Sequence, residues 1–350
     1  MSIPLNLEYK LHELRLRESL ATSQGGVDIG TSVFVRLGWA DCFGYGEAAA
    51  DPPFTGETQA SIVAAFNLLL PTLDTDPIFY RSRLTSLVQK LPGNSAAKAA
   101  IDIALHDLVA KLYDIPLYKL LGIDPTKTCE LCYTISLDSI DKMVEAAVKA
   151  SVTFKTIKVK LGSSYDEDIV REVCSAVGVP VRVDVNGYWS AQKTLEMLDK
   201  VLVPFGVSML EQPVPSVDFQ GLKLVHDRSP LPVIVDESLY ETEGLARIVD
   251  RCSGIDVKLM RCGGIQAALH LISSARMFGL KVMLGCMIES SLGITAAATL
   301  SPLADYADLD LHLRLANDPF RGATLEDGRF VLPSRAGLGV EPLEDTVIWD

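Results

Sequence analysis

The sequence predicts an α/β protein built around a closed parallel barrel, and three observations support this. From about residue 120 onward, short β-rich runs alternate with helical stretches. The residues before that point have a different, mixed pattern. Charged residues end most of the β-rich runs, at a spacing of about one β–α unit. Strand–helix alternation is typical of parallel sheets, and eight such strands favour a barrel over an open sheet.

The first 115 or so residues mix strands and helices. The runs "LEYKLHELRLR", "SVFVRLGW" and "GYGEAAA" predict strands, and a glycine-bearing loop over residues 20–30, "LATSQGGVDIG", separates the first two. Apolar periodicity then predicts helices over residues 58–70, 79–91 and 94–113. Asn94 or Ser95 is a plausible N-cap for the third helix. This region is therefore expected to be α+β.

The barrel region contains eight β-rich runs in sequence. They read "LCYTIS", "TIKVKL", "VRVDVN", "VSMLEQ", "PVIVDES", "IDVKLM", "KVMLGCM" and "YADLDLH". Helical stretches over 140–150, 166–177, 191–202, 245–250 and 267–278 separate most of them. The tail "ATLEDGRFVLPSRAGLGVEPLEDTVIWD" again has strand and turn patterns, and we expect it to return to the N-terminal region.

Composition excludes several classes of function. The 350 residues carry a formal charge of −13, which argues against a nucleic-acid or anionic-membrane partner. No apolar run reaches the roughly 18 residues of a membrane span, and the N-terminus lacks the apolar segment of a signal peptide. The seven cysteines are expected to be reduced thiols. We therefore expect a cytoplasmic protein.

The strand ends carry the residues that point to chemistry. Lys158 and Lys160 alternate along one strand and should share a face. The following strands end in Asp184, Glu211, Asp236 and Lys258, so that Lys160 and these four residues are spaced by 24, 27, 25 and 22 residues. Because barrel active sites lie at the carboxyl ends of the strands, we expect all of these side chains to meet at the barrel mouth.

The residue types suggest proton transfer beside a carboxylate. Three carboxylates suit Mg²⁺, which can stabilise an enediolate formed by removal of an α-proton. We expect Lys160 to be the base, with Lys158 adjusting its pKa and contacting the substrate carboxylate. Two adjacent ammonium groups should lower each other's pKa towards the useful range. Lys258, across the mouth, would give the second base that a racemase or epimerase needs.

These residues resemble the enolase superfamily in its muconate-lactonising subgroup, over nearly the whole chain. The matching segments are "GYGEAAA", "IKVKLG", "VDVNGYWS", "LEQP", "VDES", "DVKLMRCGGI" and "GCMIESSLGITAAA". The similarity is strongest to the dipeptide epimerase branch. It implies a modified (β/α)7β TIM-like barrel over 119–319, an α+β capping domain over 1–118 to which 320–350 returns, and a homo-oligomer.

The resemblance also implies roles for individual residues. Mg²⁺ would bind Asp184, Glu211 and Asp236, between the opposed acid/base residues Lys160 and Lys258. Asp308 and Asp310 would bind the free ammonium group of a dipeptide substrate. Further expected substrate contacts are Gly25 and Asp28 in the first loop, Phe54 in the proline-braced loop "DPPFTGET", and Met287 and Glu289 in the "GCMIESS" motif.

The chain departs from the family pattern in two places. Family members that act on Ala-Glu are expected to place an arginine in the first loop, but no Lys or Arg lies between Arg17 and Arg36. A neutral or basic C-terminal residue in the dipeptide is therefore plausible. His312 and Arg314 follow the "DLD" segment where a small residue and proline are common, and could shape the substrate end.

Two alternatives to a dipeptide epimerase stay open at this point. An o-succinylbenzoate synthase or N-acylamino acid racemase would share the lysines and the metal ligands. The acidic pair Asp308 and Asp310 disfavours it, because those substrates have no free ammonium group. A barrel that only binds a small molecule is the second alternative, and the complete set of bases and ligands disfavours that one.

Overall fold

A computed structural model describes residues 5–23, 25–73, 76–239, 244–343 and 349 of the chain. Within these residues an antiparallel three-stranded sheet and a cluster of helices precede an eight-stranded parallel sheet. The predicted fold class is confirmed. The domain limits at 118/119 and 319/320 stay a prediction. Helices long and apolar enough to cross a membrane are absent from this part of the chain.

The N-terminal region is a meander of strands covered by helices. Its elements are β1 (Asn6–Thr22), β2 (Gly25–Trp39), β3 (Cys42–Ala50), α1 (Pro52–Thr55), α2 (Gln59–Leu69), α3 (Tyr80–Lys90), α4 (Ser95–Leu112) and α5 (Leu117–Leu121). The three longest helices begin and end within one residue of their predicted limits. Helix α4 lies closest to the sheet, because Gly44 and Gly46 of β3 let its backbone approach so closely that a Cβ at either position would clash with it.

The barrel strands follow one another in space as they do in sequence. They are β4 (Tyr133–Ile135), β5 (Ile157–Lys160), β6 (Val181–Asp184), β7 (Met209–Glu211), β8 (Val233–Val235), β9 (Gly254–Lys258), β10 (Lys281–Gly285) and β11 (Tyr306–Asp308). Leu131 bridges to Ala307, which brings the first strand against the last. Each of the eight predicted runs overlaps one of these strands.

Helices connect the barrel strands. They are α6 (Ile140–Ser151), α7 (Asp166–Ala176), α8 (Ala191–Met197, continued by a π-helical turn Leu198–Leu202), α9 (Phe219–Arg228), α10 (Leu245–Ile248), α11 (Leu259–Cys262), α12 (Ile265–Met277) and α13 (Ser291–Thr299). Each crossover from one barrel strand to the next contains at least one of them, which is the expected (β/α)7β order. Buried aliphatic residues on the strands and on the inner helix faces form the main core.

The C-terminal segment leaves the barrel and reaches the N-terminal region. It forms the short strands β12 (Phe320–Arg321), β13 (Thr324–Glu326), β14 (Arg329–Val331) and β15 (Glu341–Pro342). The Phe320 ring packs edge-on against Phe34, with 5.0 Å between the ring centroids. The backbone N–H of Leu117 donates to the carbonyl of Gly337 at 2.7 Å. These contacts agree with the predicted return of the tail.

The predicted loop over residues 20–30 is mostly strand. The register of β1 and β2 shifts between Arg15 and Leu20, and then continues with Leu20 opposite Val27 and Thr22 opposite Gly25. Gly25, at φ +128°, takes a conformation at the turn that other residues rarely adopt. Alternating Val27 and Ile29 have strong β-propensity, which the glycines of this segment obscured in the sequence. Gln24 lies outside the described residues.

Buried carboxylates connect the N-terminal region to the rest of the molecule. Asp102 of α4 accepts hydrogen bonds from the backbone N–H groups of Ile265 and Gln266, at 2.6 and 3.2 Å, and so caps helix α12. Asp107, also on α4, accepts from the N–H of Tyr45 at 2.8 Å and of Leu338 at 2.7 Å. One α4 helix thus holds β3, the barrel and the tail together.

Replacing Asp107 by alanine should destabilise the protein strongly. The substitution leaves the buried N–H of Leu338 and the partly buried N–H of Tyr45 without this acceptor, and it removes the 2.6 Å ion pair with Lys111. The expected loss in the free energy of unfolding is about 3 kcal/mol, measured by urea denaturation followed by circular dichroism. Asp227→Ala, which removes an exposed i,i+4 pair with Lys223, should cost less than about 0.5 kcal/mol. Equal effects would contradict this role of Asp107.

Candidate active site

Five adjacent strands end in the order lysine, acid, acid, acid, lysine. Strand register places Lys160 of β5 beside Asp184 of β6, and Asp184 beside Glu211 of β7. Asp236 directly follows β8, and Lys258 ends β9. The barrel therefore brings together the metal-ligand and acid/base candidates of the sequence in one arc at its mouth.

The two predicted acid/base lysines stand at the ends of this arc. Lys160 Nζ donates to Asp184 Oδ2 at 2.5 Å and to Asn186 Oδ1 at 3.1 Å. Lys258 Nζ donates to Asp236 Oδ2 at 2.8 Å. Their side chains keep 12% and 11% exposure respectively, and both line the same cavity. Each ammonium group thus donates a hydrogen bond to a carboxylate and still faces the cavity.

Lys158 lies deeper and faces three carboxylates. Its Nζ contacts Asp308, and lies 3.3 Å from Asp184 Oδ2 and 3.4 Å from Glu211 Oε2. Burial acts to lower the pKa of Lys158, but these carboxylates hold it well above its ordinary value. Asp236 and Asp256 likewise raise the pKa of Lys258 against the effect of burial. The expected lowering of the pKa is therefore wrong for Lys158, because carboxylates surround its ammonium group.

An acidic cluster at the centre of the arc could hold a metal ion. Ligand oxygens of Glu211, Asp236 and Asp256 all lie within 4.8 Å of one another. Within the described residues, no hydrogen-bond partner reaches Glu211 Oε1 or either carboxylate oxygen of Asp256, although all three atoms are buried. Buried carboxylate oxygens without donors suit a hard dication. The chemistry of the donor set therefore fits a metal such as Mg²⁺.

The pKa values of the three acids in the arc shift in different directions because their neighbours differ. Burial opposes ionisation of Asp184, but Lys160 and Lys158 lower its pKa to about 2. Lys258 and Arg261 lower the pKa of Asp236 in the same way. Burial and the neighbouring Asp184 instead raise the pKa of Glu211 well above its ordinary value. The arc therefore has carboxylates with lowered pKa values at both ends and one with a raised pKa between them.

Asp308 and Asp310 share a threonine but have different environments. The Thr134 hydroxyl lies 3.1 Å from an oxygen of each carboxylate, and its N–H donates to Asp310 Oδ2 at 2.8 Å. Asp308 contacts Lys158 and lines the cavity. Asp310 is fully buried, and Arg314 lies 4.0 Å away. The structure thus brings the pair together and places Asp308 nearer the cavity.

Arg314 and His312 lie in the short helical turn Leu311–Arg314 that follows Asp310. Arg314 donates to the Thr134 carbonyl and to Ser136 Oγ, and its guanidinium stacks over Tyr133 at 5.0 Å. The His312 ring lies 6.0 Å from that of Phe330, in the C-terminal segment. Both side chains are buried among protein groups in this way.

The cavity above the arc has a volume of about 370 Å³ and mostly apolar upper walls. These walls come from the β1–β2 hairpin, the segment 49–54 and the residues after β10; the lining side chains include Leu20, Val27, Ile29, Phe54, Met287 and Ile288. Val27 and Ile29 are 43% and 46% exposed. An apolar group bound in the cavity would cover them.

The remaining predicted substrate contacts divide into two groups. Gly25, Phe54 and Met287 line the cavity. Asp28 is exposed and alternates with Val27 and Ile29, so it points to the other face of the strand. Glu289 is buried behind the cavity wall, next to Glu47 of β3, and both carboxylates lie against Gly293. The structure thus does not bring Asp28 and Glu289 to the cavity wall as it does the first three.

Glu47 and Glu289 differ in how many hydrogen bonds their carboxylates accept. Glu47 accepts hydrogen bonds from Ser32, from the N–H and hydroxyl of Ser290, and from the N–H of Gly293. Glu289 accepts one from the N–H of Met287 at 2.8 Å, and its Oε2 is buried without a partner in the described part of the chain. Burial and the charge of Glu47 raise the pKa of Glu289 to about 8.

Sequence reasoning missed three polar residues of the site. Asp51 lines the cavity from the N-terminal region, and Thr134 links the acidic pair. Asp256 joins the acidic cluster. The alternation within "IDVKLM" was the available signal, since it places Asp256 on the same strand face as Lys258. The positions of Asp51 and Thr134 depend on how separate elements pack, which no local pattern reports.

Comparisons with known proteins agree with this architecture. Residues 9–122 match the family described as mandelate racemase / muconate lactonizing enzyme, N-terminal domain, and residues 141–346 match the family described as enolase C-terminal domain-like. The L-Ala-D/L-Glu epimerase of Bacteroides thetaiotaomicron is 36% identical over 330 residues, which cover 94% of this chain and 86% of the relative.

A second relative and a solved structure have similar coverage. The hydrophobic dipeptide epimerase of Roseobacter litoralis is 32% identical, over 96% of this chain and 98% of the relative. The dipeptide epimerase of Cytophaga hutchinsonii, complexed with Mg and the dipeptide D-Ala-L-Val, superimposes with a TM-score of 0.92 at 30% identity. That match covers 99% of this chain and 97% of the other.

Glu289 should make stability depend on pH. Its folded-state pKa of about 8 lies above the ordinary value of about 4.3, so the folded state retains a proton that the unfolded state releases. This stabilisation is complete below pH 4 and is lost as the pH rises to 8. Between pH 5 and 8, the free energy of unfolding of the wild type should fall by about 4 kcal/mol relative to Glu289→Gln.

Urea denaturation at several pH values measures this difference. Glu172→Gln, which alters an exposed carboxylate of α7, is the matched control and should follow the wild type at every pH. Parallel curves for the wild type and Glu289→Gln would show that Glu289 is not protonated in the folded state.

Proposed function

Because the chain belongs to the enolase superfamily, in the mandelate racemase and muconate lactonizing branch, we propose that it is a Mg²⁺-dependent dipeptide epimerase. The reaction is a 1,1-proton transfer at the α-carbon of the C-terminal residue of an L-Ala-L-Xaa dipeptide. The observation that carries the proposal is the placement of Lys160 and Lys258 at opposite ends of one acidic arc, both facing the same cavity.

The lysines divide the proton transfer between two faces. One amine removes the α-proton, and the other ammonium group returns a proton to the opposite face of the planar enediolate, which inverts the stereocentre. Lys158, the most enclosed of the three, keeps its positive charge among Asp308, Glu211 and Asp184. This suits it to binding the substrate carboxylate rather than to accepting a proton.

The proposed ligands of Mg²⁺ are Asp184, Glu211 and Asp236. Their support is the family resemblance, the Glu211 Oε1 atom that accepts no hydrogen bond from the described residues, and the magnesium in the Cytophaga hutchinsonii enzyme complex. When bound, Mg²⁺ supplies positive charge that stabilises the enediolate and offsets the carboxylates beside the lysines. The acids of the arc hold the lysines in place on either side of the reacting carbon.

Asp308 and Asp310 are the proposed seat of the substrate ammonium group. Asp308 lines the cavity, and Thr134 fixes both carboxylates. A cation bound here leaves the C-terminal residue of a dipeptide to extend towards the lysines. An N-acylamino acid has no such cation, so this pair favours the dipeptide over the N-acylamino acid racemase or o-succinylbenzoate synthase reaction.

The dipeptide side chain is proposed to be apolar rather than acidic. Val27, Ile29 and Phe54 line the cavity, and no lysine or arginine occurs between Arg17 and Arg36 to pair with a glutamate. The named activities of the relatives include both L-Ala-D/L-Glu and hydrophobic dipeptide epimerases. The apolar walls favour the second of these for this chain.

Single lysine substitutions should separate the two half-reactions. Lys160→Ala and Lys258→Ala should each reduce epimerisation by at least about 10³-fold. Each should still exchange the α-proton of one epimer in D₂O, and the two variants should retain opposite epimers. NMR of the exchanging α-proton measures this, with Lys193→Ala, an exposed substitution on α8, as the active control.

Two outcomes would reject the lysine mechanism. Retention of exchange with both epimers by either variant would remove that lysine from the reaction. Failure of the wild type to exchange any dipeptide in the presence of Mg²⁺, despite tight binding, would favour a barrel that only binds its ligand.

A substrate panel should show the predicted specificity. We expect kcat/KM for L-Ala-L-Leu and L-Ala-L-Val to exceed that for L-Ala-L-Glu by at least about tenfold, because the glutamate charge finds no partner among the apolar walls. N-acetylation of L-Ala-L-Leu should reduce kcat/KM by about 100-fold through loss of the ammonium contact. A preference for L-Ala-L-Glu would refute the specificity, and faster turnover of N-acetyl-L-Leu would support the racemase alternative.

A further inference from the structure

Asp256 is a buried acid that neither the proton transfer nor the proposed metal ligands use. It lies on β9 two residues before Lys258, so both side chains project into the barrel. Only 3% of Asp256 is exposed. The strand register sets it beside Met283, which packs with Met209 and Ile234 in an apolar layer of the barrel interior. A carboxylate at this depth needs a compensating positive charge.

The protein compensates Asp256 only weakly. Lys258 Nζ lies 3.6 Å from Asp256 Oδ2, beyond hydrogen-bond distance, and itself donates to Asp236 at 2.8 Å. In the described part of the chain, no hydrogen-bond partner reaches either oxygen of Asp256. Glu211 Oε1, in the same cluster, is also buried without a partner there. These three oxygens therefore form a set of acceptors that protein donors leave unsatisfied.

The spacing of the cluster is close to that of a cation site. Oxygens bound to Mg²⁺ at about 2.1 Å lie no more than about 4.2 Å apart. The ligand oxygens of Glu211, Asp236 and Asp256 already lie within 4.8 Å of one another. Small side-chain rotations that move each oxygen by a few tenths of an ångström would bring all three within reach of one ion.

Gly285 leaves the space that Asp256 occupies. A Cβ at this position of β10 would lie 2.3 and 2.5 Å from the two Asp256 oxygens. Because residue 285 has no side chain, the Asp256 carboxylate has room to point into the barrel. Gly285 pairs in register with Lys258 of the neighbouring strand β9.

Asp184 differs from Asp256 in this respect. Its Oδ2 accepts from Lys160 and Lys158, and its Oδ1 accepts from the N–H of Asn186 at 3.0 Å. Protein donors thus already satisfy both oxygens of Asp184. Asp256, beside Glu211 and Asp236, is the acid whose oxygens accept no hydrogen bond from the described residues and so can bind an ion.

We propose that Asp256 is a member of the cation site, contributing a fourth carboxylate beside Asp184, Glu211 and Asp236. The inference rests on the proposed function for the identity of the cation as Mg²⁺. It assigns to β9 two roles at once, since Lys258 faces the substrate and Asp256 faces the ion beneath it. Gly285 is the position that makes this arrangement possible.

Isothermal titration of the substrate-free, full-length protein with MgCl₂ tests this assignment without measuring turnover. Asp256→Asn keeps the shape of the side chain and should weaken Mg²⁺ binding at least tenfold. Gly285→Ala keeps all four carboxylates but displaces that of Asp256, and should weaken binding in the same direction. Circular dichroism and the Tm establish that each variant is folded.

The matched control is Asp310→Asn, which neutralises another buried acid of the barrel mouth. Asp310 is hydrogen-bonded to Thr134 and lies near Arg314. Removing its charge should therefore change the Mg²⁺ affinity less than threefold. Wild-type affinity in folded Asp256→Asn would overturn this inference alone. Absence of Mg²⁺ binding by the wild type would overturn it together with the cofactor of the proposed function.

Discussion

Charge compensation inside the barrel mouth is the constraint on which the rest of the site depends. Asp184, Glu211 and Asp236 are each at most 1% exposed, and Asp256 and Asp308 lie among them. Carboxylates at this depth are stable only when cations or hydrogen bonds offset them. Lys158, Lys160, Lys258 and Arg261 supply that offset, each with a contact to at least one of these acids. The residues of the proposed active site therefore also offset the cost of burying one another's charges.

Buried carboxylates away from the cavity are also stabilised by hydrogen-bond donors, but there the donors are backbone N–H groups rather than lysines. Glu57 accepts from the N–H groups of Ala96 and Ala97 at the start of α4, and Glu47 accepts from those of Ser290 and Gly293 at the start of α13. Helix N-termini carry partial positive charge and stabilise such acids. Glu47 belongs to β3 and α13 to the barrel, so this contact also fixes the wall of the cavity relative to the acidic arc.

The sequence predicted the barrel and the arc well, because both depend on short periodic patterns. Alternation within each run identified the strands, and the interval between strand ends placed Lys160, Asp184 and Glu211 on neighbouring strands. The segment Leu20–Val27 is a hairpin where the sequence predicts a loop, because its glycines outweigh the β-propensity around them. Thr134 and Asp51 could not be found, since their roles depend on contacts between elements distant in sequence.

The number of carboxylates around each lysine gives the three amines different chemical characters. Mutual repulsion between Lys158 and Lys160 would lower both pKa values if they faced solvent or each other alone. In the folded chain, Lys158 instead faces Asp308, Asp184 and Glu211, and these acids keep it charged. Lys160 contacts one carboxylate and one amide, and Lys258 lies near Asp236 and Asp256. A positive charge bound among the acids would weaken the hold on the outer two amines first, because each has fewer acidic neighbours than Lys158. Lys160 and Lys258 thus differ from Lys158, which also lines the cavity but has three carboxylates around its ammonium group.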